Sequence, residues 1–237
     1  DLKEENDWFP DFLELEKRGL EKVKVMWVSY PHMPTGAMAN SSQLEKLVAF
    51  AKEHNILLVN DNPYSFVLSK SPLSILSVKG AKDTALELNS LSKTFNMAGW
   101  RVGMVLGNKE NINAILKVKS NMDSGMFYGI QKGAIEALRC SKLWYLSLNN
   151  VYEQRRKLIW QLATALNCTY DEKASGLFVW AKLPDYFKSE EFTDIVLKNY
   201  HIFVAPGHIF GSNGEGYVRF SLCAETEDLE EAIARIR

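Results

Sequence analysis

The sequence has few cysteines and almost no excess charge. Its three cysteines, Cys140, Cys168 and Cys223, match no metal-binding spacing, so no metal site is predicted. Their odd number argues against a disulfide framework, and each is most simply a small buried apolar residue. The 28 basic and 29 acidic residues give a formal net charge of -1. This balance gives no reason to expect nucleic acid or an anionic membrane surface as a partner.

Long hydrophobic runs are also absent. No uninterrupted apolar stretch reaches membrane-spanning length, and residues 1–6 lack the layout of a signal peptide. We therefore expect no membrane partner and a cytoplasmic location. With 46% hydrophobic residues, the 237-residue chain is long enough for one large or two small domains with a substantial core.

The first part of the chain alternates short apolar runs with helical patterns. Strands are predicted over residues 23–29, 56–59, 85–88 and 102–106. The first of these strands is predicted to be buried. Ser42 and Glu45 have the spacing of a capping box that opens a helix. The alternation predicts an α/β fold with a mainly parallel sheet covered by helices on both faces.

The pattern changes near residue 145. A long helix is predicted over residues 142–166, followed by strands over 177–183, 202–205 and 217–222, a helix near 190–199 and a final helix through 229–236. We therefore predict two domains. Residues 1–144 form part of a large, mainly parallel domain, and residues 145–237 form a small α+β domain.

The most informative stretch is 89–103, Asn-Ser-Leu-Ser-Lys-Thr-Phe-Asn-Met-Ala-Gly-Trp-Arg-Val-Gly. It places Lys93 just after a predicted strand, with Ser90 and Ser92 beside it and Arg101 further on. A primary amine attacks carbonyl groups, whereas hydroxyls and a guanidinium satisfy a dianionic phosphate. The combination favours a site for a phosphorylated aldehyde. Asp61 follows another predicted strand, at the sheet edge where open α/β sheets keep their ligands.

This stretch is accompanied by Tyr-Pro-His-Met-Pro-Thr-Gly at 30–36 and by Tyr-Val-Arg-Phe-Ser at 217–221. Together the three blocks resemble the class I/II aminotransferases, which are pyridoxal-phosphate enzymes of fold type I. The resemblance implies pyridoxal 5'-phosphate as cofactor, amino-group transfer between an amino acid and a 2-oxo acid, and a homodimer. It also implies that the chain corresponds to the C-terminal part of such an enzyme and that this part by itself is poorly active.

The resemblance assigns roles to the residues around the cofactor. Lys93 is expected to be the Schiff-base lysine and the proton carrier. Asp61 is expected to face the pyridine nitrogen, and the Tyr64 hydroxyl to reach the phenolic oxygen of the cofactor.

Four further residues are expected to hold anionic groups. Ser90, Ser92 and Arg101 match the phosphate-binding positions, although the serines could simply cap the turn. Arg219 is assigned to the α-carboxylate of the substrate.

Met33 departs from the family pattern, because the family usually has Asn directly before Pro-Thr-Gly. A thioether cannot donate a hydrogen bond, so one contact to the cofactor is in doubt. We interpret Met33 as a packing residue. Gly36 fits a close approach between backbones.

The substrate remains open. Residues 120–127 and Gln131 are similar to a segment of the branch that contains LL-diaminopimelate and related aspartate or alanine aminotransferases. A carbon-sulfur lyase or a synthase of the same fold is the alternative enzyme. An aminotransferase-like sensor domain of a transcription regulator is the alternative of another class.

Overall fold

The computed structural model describes residues 1–236, which form two compact units. The parallel-sheet unit comprises residues 12–31 and 39–146, and the antiparallel-sheet unit comprises residues 1–11, 32–38 and 147–236. The predicted domains, 1–144 and 145–237, stay a prediction. The units of the structure are discontinuous in sequence.

The elements of the parallel-sheet unit are α1 (Phe12–Lys17), β1 (Val25–Ser29), α2 (Ser41–Glu53), β2 (Leu57–Asp61), α3 (Ala81–Thr84), β3 (Ala85–Ser90), α4 (Leu91–Thr94), β4 (Gly103–Leu106), α5 (Lys109–Lys119) and α6 (Tyr128–Leu138). Helix α7 (Lys142–Ala165) begins here and continues into the second unit. The alternation of strands and helices confirms the predicted α/β class.

The sheet is mainly parallel, as predicted. Its strand order is β1-β2-β3-β4, and only β4 runs antiparallel to its neighbour. Ser29 lies opposite Asp61, and Asp61 lies opposite Leu88. The carboxyl ends of the three parallel strands therefore meet at one edge, where ligands bind in open α/β sheets.

The prediction that strand 23–29 is buried is wrong for one of its faces. Side chains two positions apart lie on the same face of a strand, so Val25 and Trp27 share one face of β1. Both are exposed, Trp27 by 62%. No element among residues 1–236 covers these two side chains. Helix α2, in contrast, buries an apolar stripe that includes Leu44 and Leu47.

The capping box of helix α2 lies two residues earlier than predicted. Asn40 Oδ1 accepts from the Gln43 backbone N–H at 2.9 Å, and Gln43 Oε1 accepts from the Asn40 N–H at 2.9 Å. Ser42 and Glu45 have the same spacing, but Ser42 already lies inside the helix. Two overlapping sequence patterns could therefore cap this helix. In the structure the side chains of Asn40 and Gln43 accept from the backbone N–H groups at its start.

Asn40→Ala should lower the free energy of unfolding by about 1 kcal/mol, because it leaves an N-terminal N–H of α2 without its side-chain acceptor. Ser42→Ala is the matched control, and we expect it to change stability by less than about 0.5 kcal/mol. Urea unfolding followed by circular dichroism measures both. Equal losses in the two variants would contradict the observed cap.

The antiparallel-sheet unit contains β5 (Thr169–Tyr170), β6 (Phe178–Lys182), α8 (Ser189–Tyr200), β7 (Ala205–Pro206), β8 (Tyr217–Ser221) and α9 (Thr226–Ile236). Its strand order is β5-β6-β8-β7, with every pair antiparallel. The predicted strand over 202–205 shrinks to the two residues of β7. Among residues 1–236, no helix is long and apolar enough to cross a membrane.

The first residues of the chain belong to this second unit. The Glu4 carboxylate accepts from Lys182 Nζ at 2.9 Å and from the Tyr217 hydroxyl at 2.8 Å. The hydrogen bond from Lys182 holds the pKa of Glu4 below its ordinary value. Asn213 Nδ2 also donates to the Leu2 carbonyl at 2.9 Å. A segment distant in sequence is thus fastened to the antiparallel sheet by charged and neutral hydrogen bonds.

Candidate active site

The segment that carries Lys93 alternates buried anchors with accessible polar groups. Strand β3 ends at Ser90, and α4 follows at once. Leu91, Phe95, Met97 and Val102 form one buried cluster beneath it. Lys93 itself is half-buried. The apolar residues therefore fix the backbone, while the amine stays within reach of a ligand.

The two serine hydroxyls lie together. The Ser92 backbone N–H donates to Ser90 Oγ at 3.1 Å, and Ser90 Oγ donates to Ser92 Oγ at 2.9 Å. Ser90 is therefore the N-cap of α4, which is the capping interpretation of the turn. Both hydroxyls are only half-buried, so an anion could replace their mutual hydrogen bond.

Arg101 has an unusual backbone conformation. Its φ is 54°, in the left-handed region, where a residue with a Cβ costs of order 1 kcal/mol or more. The guanidinium is exposed, and Nη1 donates to the Ala98 carbonyl at 3.0 Å. The next strand begins at Gly103, where an added Cβ would lie 2.9 Å from the Asn89 carbonyl oxygen. The chain thus closes tightly back onto β3 and brings Arg101 near the end of that strand.

Asp61 occupies the last position of β2. Burial raises the pKa of its carboxyl group above the ordinary value. The next residue, Asn62, accepts from Asn89 Nδ2 through its carbonyl oxygen at 2.8 Å. This bond ties the end of β2 to β3. Tyr64 follows and is buried at 9% exposure.

Two aromatic residues that the sequence analysis did not single out support the Lys93 segment. Trp144 Nε1 donates to the Thr94 carbonyl at 3.0 Å, directly after the lysine. The Tyr145 ring lies 5.6 Å from the Phe95 ring, centroid to centroid. Both lie at the start of α7, about fifty residues away in sequence. No local pattern could have indicated them, because only folding brings them to α4.

Arg219 lies on β8 of the antiparallel-sheet unit. Its guanidinium carbon is 4.0 Å from the centroid of the Phe178 ring and 4.6 Å from that of Phe210. Its Nη1 donates to Met33 Sδ at 3.4 Å. Sequence reasoning identified Arg219 but missed the rings, and it interpreted Met33 as a packing residue. The sequence marks Phe178, Phe210 and Met33 only as large side chains near a loop or a strand end.

The segment 32–38 packs in the same unit as Arg219. The Gly36 carbonyl accepts from the Ser175 N–H at 2.8 Å, and a Cβ on Gly36 would lie 2.7 Å from the Ser175 oxygen. Its φ of +73° also favours glycine. His32 Nδ1 lies 2.8 Å from Thr35 Oγ1. Burial lowers the pKa of His32 to about 4, so the imidazole is neutral near neutral pH.

The structure thus brings most of the sequence-predicted site residues into one unit. Asp61, Tyr64, Ser90, Ser92, Lys93 and Arg101 belong to the parallel-sheet unit. Arg219 belongs to the antiparallel-sheet unit, together with Met33. Within residues 1–236, no group of three or more His, Cys, Asp or Glu side chains is placed to hold a metal ion.

The fold and this set of residues agree with the comparison against protein families. The model of "Aminotransferase class I and II" matches residues 1–236. The chain belongs to this family.

Individual relatives are named as aminotransferases or transaminases. The chain is 40% identical to an LL-diaminopimelate aminotransferase of Oleidesulfovibrio alaskensis, covering 99% of this chain and 61% of that protein. It is 41% identical to the transaminase BacF of Bacillus subtilis, covering 100% of this chain and 60% of that protein. The chain therefore spans about three fifths of the length of the curated relatives it matches.

Solved structures agree with the sequence comparisons. The substrate-bound BacF structure from Bacillus subtilis superposes with a TM-score of 0.93 at 39% identity, over 99% of this chain and 61% of that one. An aromatic aminotransferase from Pyrococcus horikoshii gives a TM-score of 0.90 at 30% identity, over 99% of this chain and 64% of that one. The expected resemblance to fold type I aminotransferases is confirmed.

His32 should make the folded protein sensitive to acid. Its pKa falls from 6.5 to about 4 on folding, so the unfolded chain takes up the proton first as the pH drops. The contribution of the neutral His32 imidazole to the free energy of unfolding is complete above about pH 6.5 and is lost as the pH falls from 6.5 to about 4. His32→Gln should therefore reduce the stability difference between pH 7.5 and pH 4.5 by roughly 1 to 3 kcal/mol.

Urea unfolding at the two pH values measures this difference. His201→Asn is the matched control, because His201 is exposed at the C-terminus of α8 and adopts a left-handed φ of 54°, which Asn tolerates. A His32→Gln protein with the same acid sensitivity as the wild type would contradict the assignment.

Proposed function

We propose that the protein carrying this chain is a pyridoxal-phosphate-dependent aminotransferase that moves an amino group between an amino acid and a 2-oxo acid. The observation that carries the proposal is the Lys93 segment. It combines a half-buried amine, two paired hydroxyls and an exposed guanidinium beyond β3, and Asp61 ends the neighbouring strand. Membership of the aminotransferase family supports the same reaction.

The chemistry of these side chains fits the cofactor. Ser90, Ser92 and Arg101 provide neutral and cationic donors, which a phosphate dianion requires. Asp61 is an anion in a partly buried place, and its raised pKa indicates that a cationic partner would be stabilising there. Met33 has no donor to offer, so the hydrogen bond that family members form through Asn is absent from our proposal.

Bound pyridoxal phosphate supplies an aldehyde that condenses with amines and a ring that withdraws electrons from the substrate Cα. The residues of the chain then have distinct tasks. Lys93 Nζ would provide the amine for the covalent link and, once the substrate amine has displaced it, would carry the proton removed from Cα. The Asp61 carboxylate would hold a proton on the ring nitrogen, and the Tyr64 hydroxyl would donate to the phenolic oxygen. Arg219 binds the α-carboxylate of the substrate.

We further propose a cytoplasmic homodimer. All three cysteines carry free thiols, as is usual in a reducing compartment, although only Cys168 is buried as expected and Cys140 and Cys223 are exposed. Large apolar side chains between α5 and α7 are exposed, among them Leu116 at 52% and Phe127 at 74%, and a second copy could cover them. Sedimentation equilibrium of the natural gene product tests the dimer.

Lys93→Ala should lower amino transfer by roughly 1,000-fold or more, because the covalent link and the proton carrier disappear together. Borohydride reduction of the wild-type gene product loaded with cofactor should leave the pyridoxyl group on Lys93, as read by peptide mass spectrometry. Lys109→Ala, at an exposed lysine that opens α5, is the matched control. Label on a different lysine would overturn the assignment.

The same preparations separate the alternative functions. A panel of amino acids, including LL-diaminopimelate, aspartate, alanine and the thioether cystathionine, is assayed with and without a 2-oxo acid acceptor. Amino transfer requires the acceptor, whereas a carbon-sulfur lyase releases pyruvate and thiol without it. Conversion of no amino acid, with cofactor still bound, would favour a sensor domain.

Asp61→Asn and Arg219→Ala should fail differently. Loss of the carboxylate leaves the ring nitrogen without its proton, so kcat should fall by roughly 100-fold or more while KM changes little. Loss of the guanidinium removes charged hydrogen bonds to the substrate, so KM should rise by roughly 100-fold. Steady-state kinetics with one amino acid measures both, and an identical, purely catalytic loss in the two variants would contradict these roles.

A further inference from the structure

The short helix that carries Lys93 is held differently at its two ends. At its start, the Leu91 N–H donates to the Val102 carbonyl at 3.1 Å, which fastens α4 to the segment that leads into β4. Ser90, directly before the helix, caps the same end. At the other end, no backbone N–H among residues 1–236 donates to the Thr94 carbonyl. A helix of one turn leaves this last carbonyl without an internal partner.

The indole of Trp144 supplies the missing donor. Its Nε1–H donates to the Thr94 carbonyl at 3.0 Å. Thr94 is only 4% exposed, so water has little access, and loss of the indole N–H would leave a buried carbonyl unpaired. The carbonyl belongs to the residue directly after Lys93. The backbone at Lys93 is therefore fixed at this end of α4 by a side chain that lies about fifty residues away in sequence.

Trp144 is itself anchored at the start of α7. The carbonyl of Ser141, directly before the helix, accepts from the Trp144 N–H at 3.1 Å. The neighbouring Tyr145 packs against the buried cluster beneath α4. Its ring lies 5.4 Å from that of Phe66 and 5.6 Å from that of Phe95, centroid to centroid. The indole therefore reaches α4 from a fixed turn of the backbone.

We propose that Trp144 is a positioning residue for Lys93: its N–H fixes the end of α4 and so holds the lysine amine where it links to the aldehyde of the cofactor. This inference rests on the proposed function, in which Lys93 makes that link. The link is a C=N bond between the amine and the aldehyde carbon, and the aldehyde oxygen leaves as water. Ser90 and Ser92, which are assigned to the phosphate, lie at the opposite end of α4. Loss of the indole N–H should therefore affect the link more than the binding of the phosphate.

Two forms of the cofactor separate these contributions. Pyridoxal phosphate can form the link, whereas pyridoxamine phosphate carries no aldehyde and binds only through its ring and its phosphate. Calorimetric titration of the cofactor-free natural gene product measures the Kd of each form. Trp144→Phe removes the donor, and we expect the Kd of pyridoxal phosphate to rise about tenfold while that of pyridoxamine phosphate stays within about twofold of the wild type.

Two further variants separate the hydrogen bond from packing. Incorporation of 3-benzothienylalanine at position 144 keeps the size of the bicyclic ring but replaces the N–H by sulfur, and it should reproduce both results. It also provides the measurement if Trp144→Phe fails to fold. Trp160→Phe is the matched control, because Trp160 lies on the same helix and its buried Nε1 has no acceptor among residues 1–236. Neither Kd should change in this control.

Equal losses for the two cofactor forms in Trp144→Phe would overturn the proposal, since the substitution would then only loosen the structure. Wild-type Kd values with benzothienylalanine at position 144 would do so as well, because the donor would then be dispensable. A borohydride label that is absent from Lys93 in the wild type would remove the basis of the proposal. If the label lies on Lys93 and only amino transfer is missing, the proposed function fails, but the positioning of Lys93 still stands on the two Kd values.

Discussion

A buried pair of polar side chains fixes the register of the parallel sheet, and the candidate site depends on that register. Asn60 Nδ2 donates to Glu87 Oε2 at 3.4 Å between paired positions of β2 and β3. Asn60 Oδ1 accepts from the Tyr30 N–H, and Glu87 Oε2 from the Ile75 N–H. A slip of one residue would leave these buried groups unpaired, at a cost of about 1 to 3 kcal/mol each.

That register decides where the strand ends lie. Asp61, which ends β2, lies opposite Leu88 of β3. Leu88 is two residues before Ser90, which ends β3. The Lys93 segment then starts from a fixed point, and its buried anchors hold it against the start of α7. The energy for placing the polar groups thus comes from apolar burial and from satisfied hydrogen bonds elsewhere in the unit.

The two candidate charge centres are built in opposite ways. Asp61 is partly buried with a raised pKa, an arrangement that favours a cationic ligand group beside it. Arg219 contacts two aromatic rings and a thioether. Desolvation shifts the pKa of the first centre, whereas the second centre lies against large side chains without formal charge.

The sequence by itself determined the fold class, the approximate strands and the family, because periodicity and the 89–103 motif are local in the chain. It also indicated Asp61 and Lys93 through residue chemistry next to predicted strands, and Arg219 through the resemblance to the family. Only the tertiary structure decided that Asn40 caps α2, that Trp27 is exposed, that Trp144 supports the Lys93 segment and that Met33 contacts Arg219. The cap depends on which of two overlapping local patterns opens the helix, whereas the other three depend on which elements meet in space, and spacing along the chain does not specify contacts between residues fifty or more positions apart.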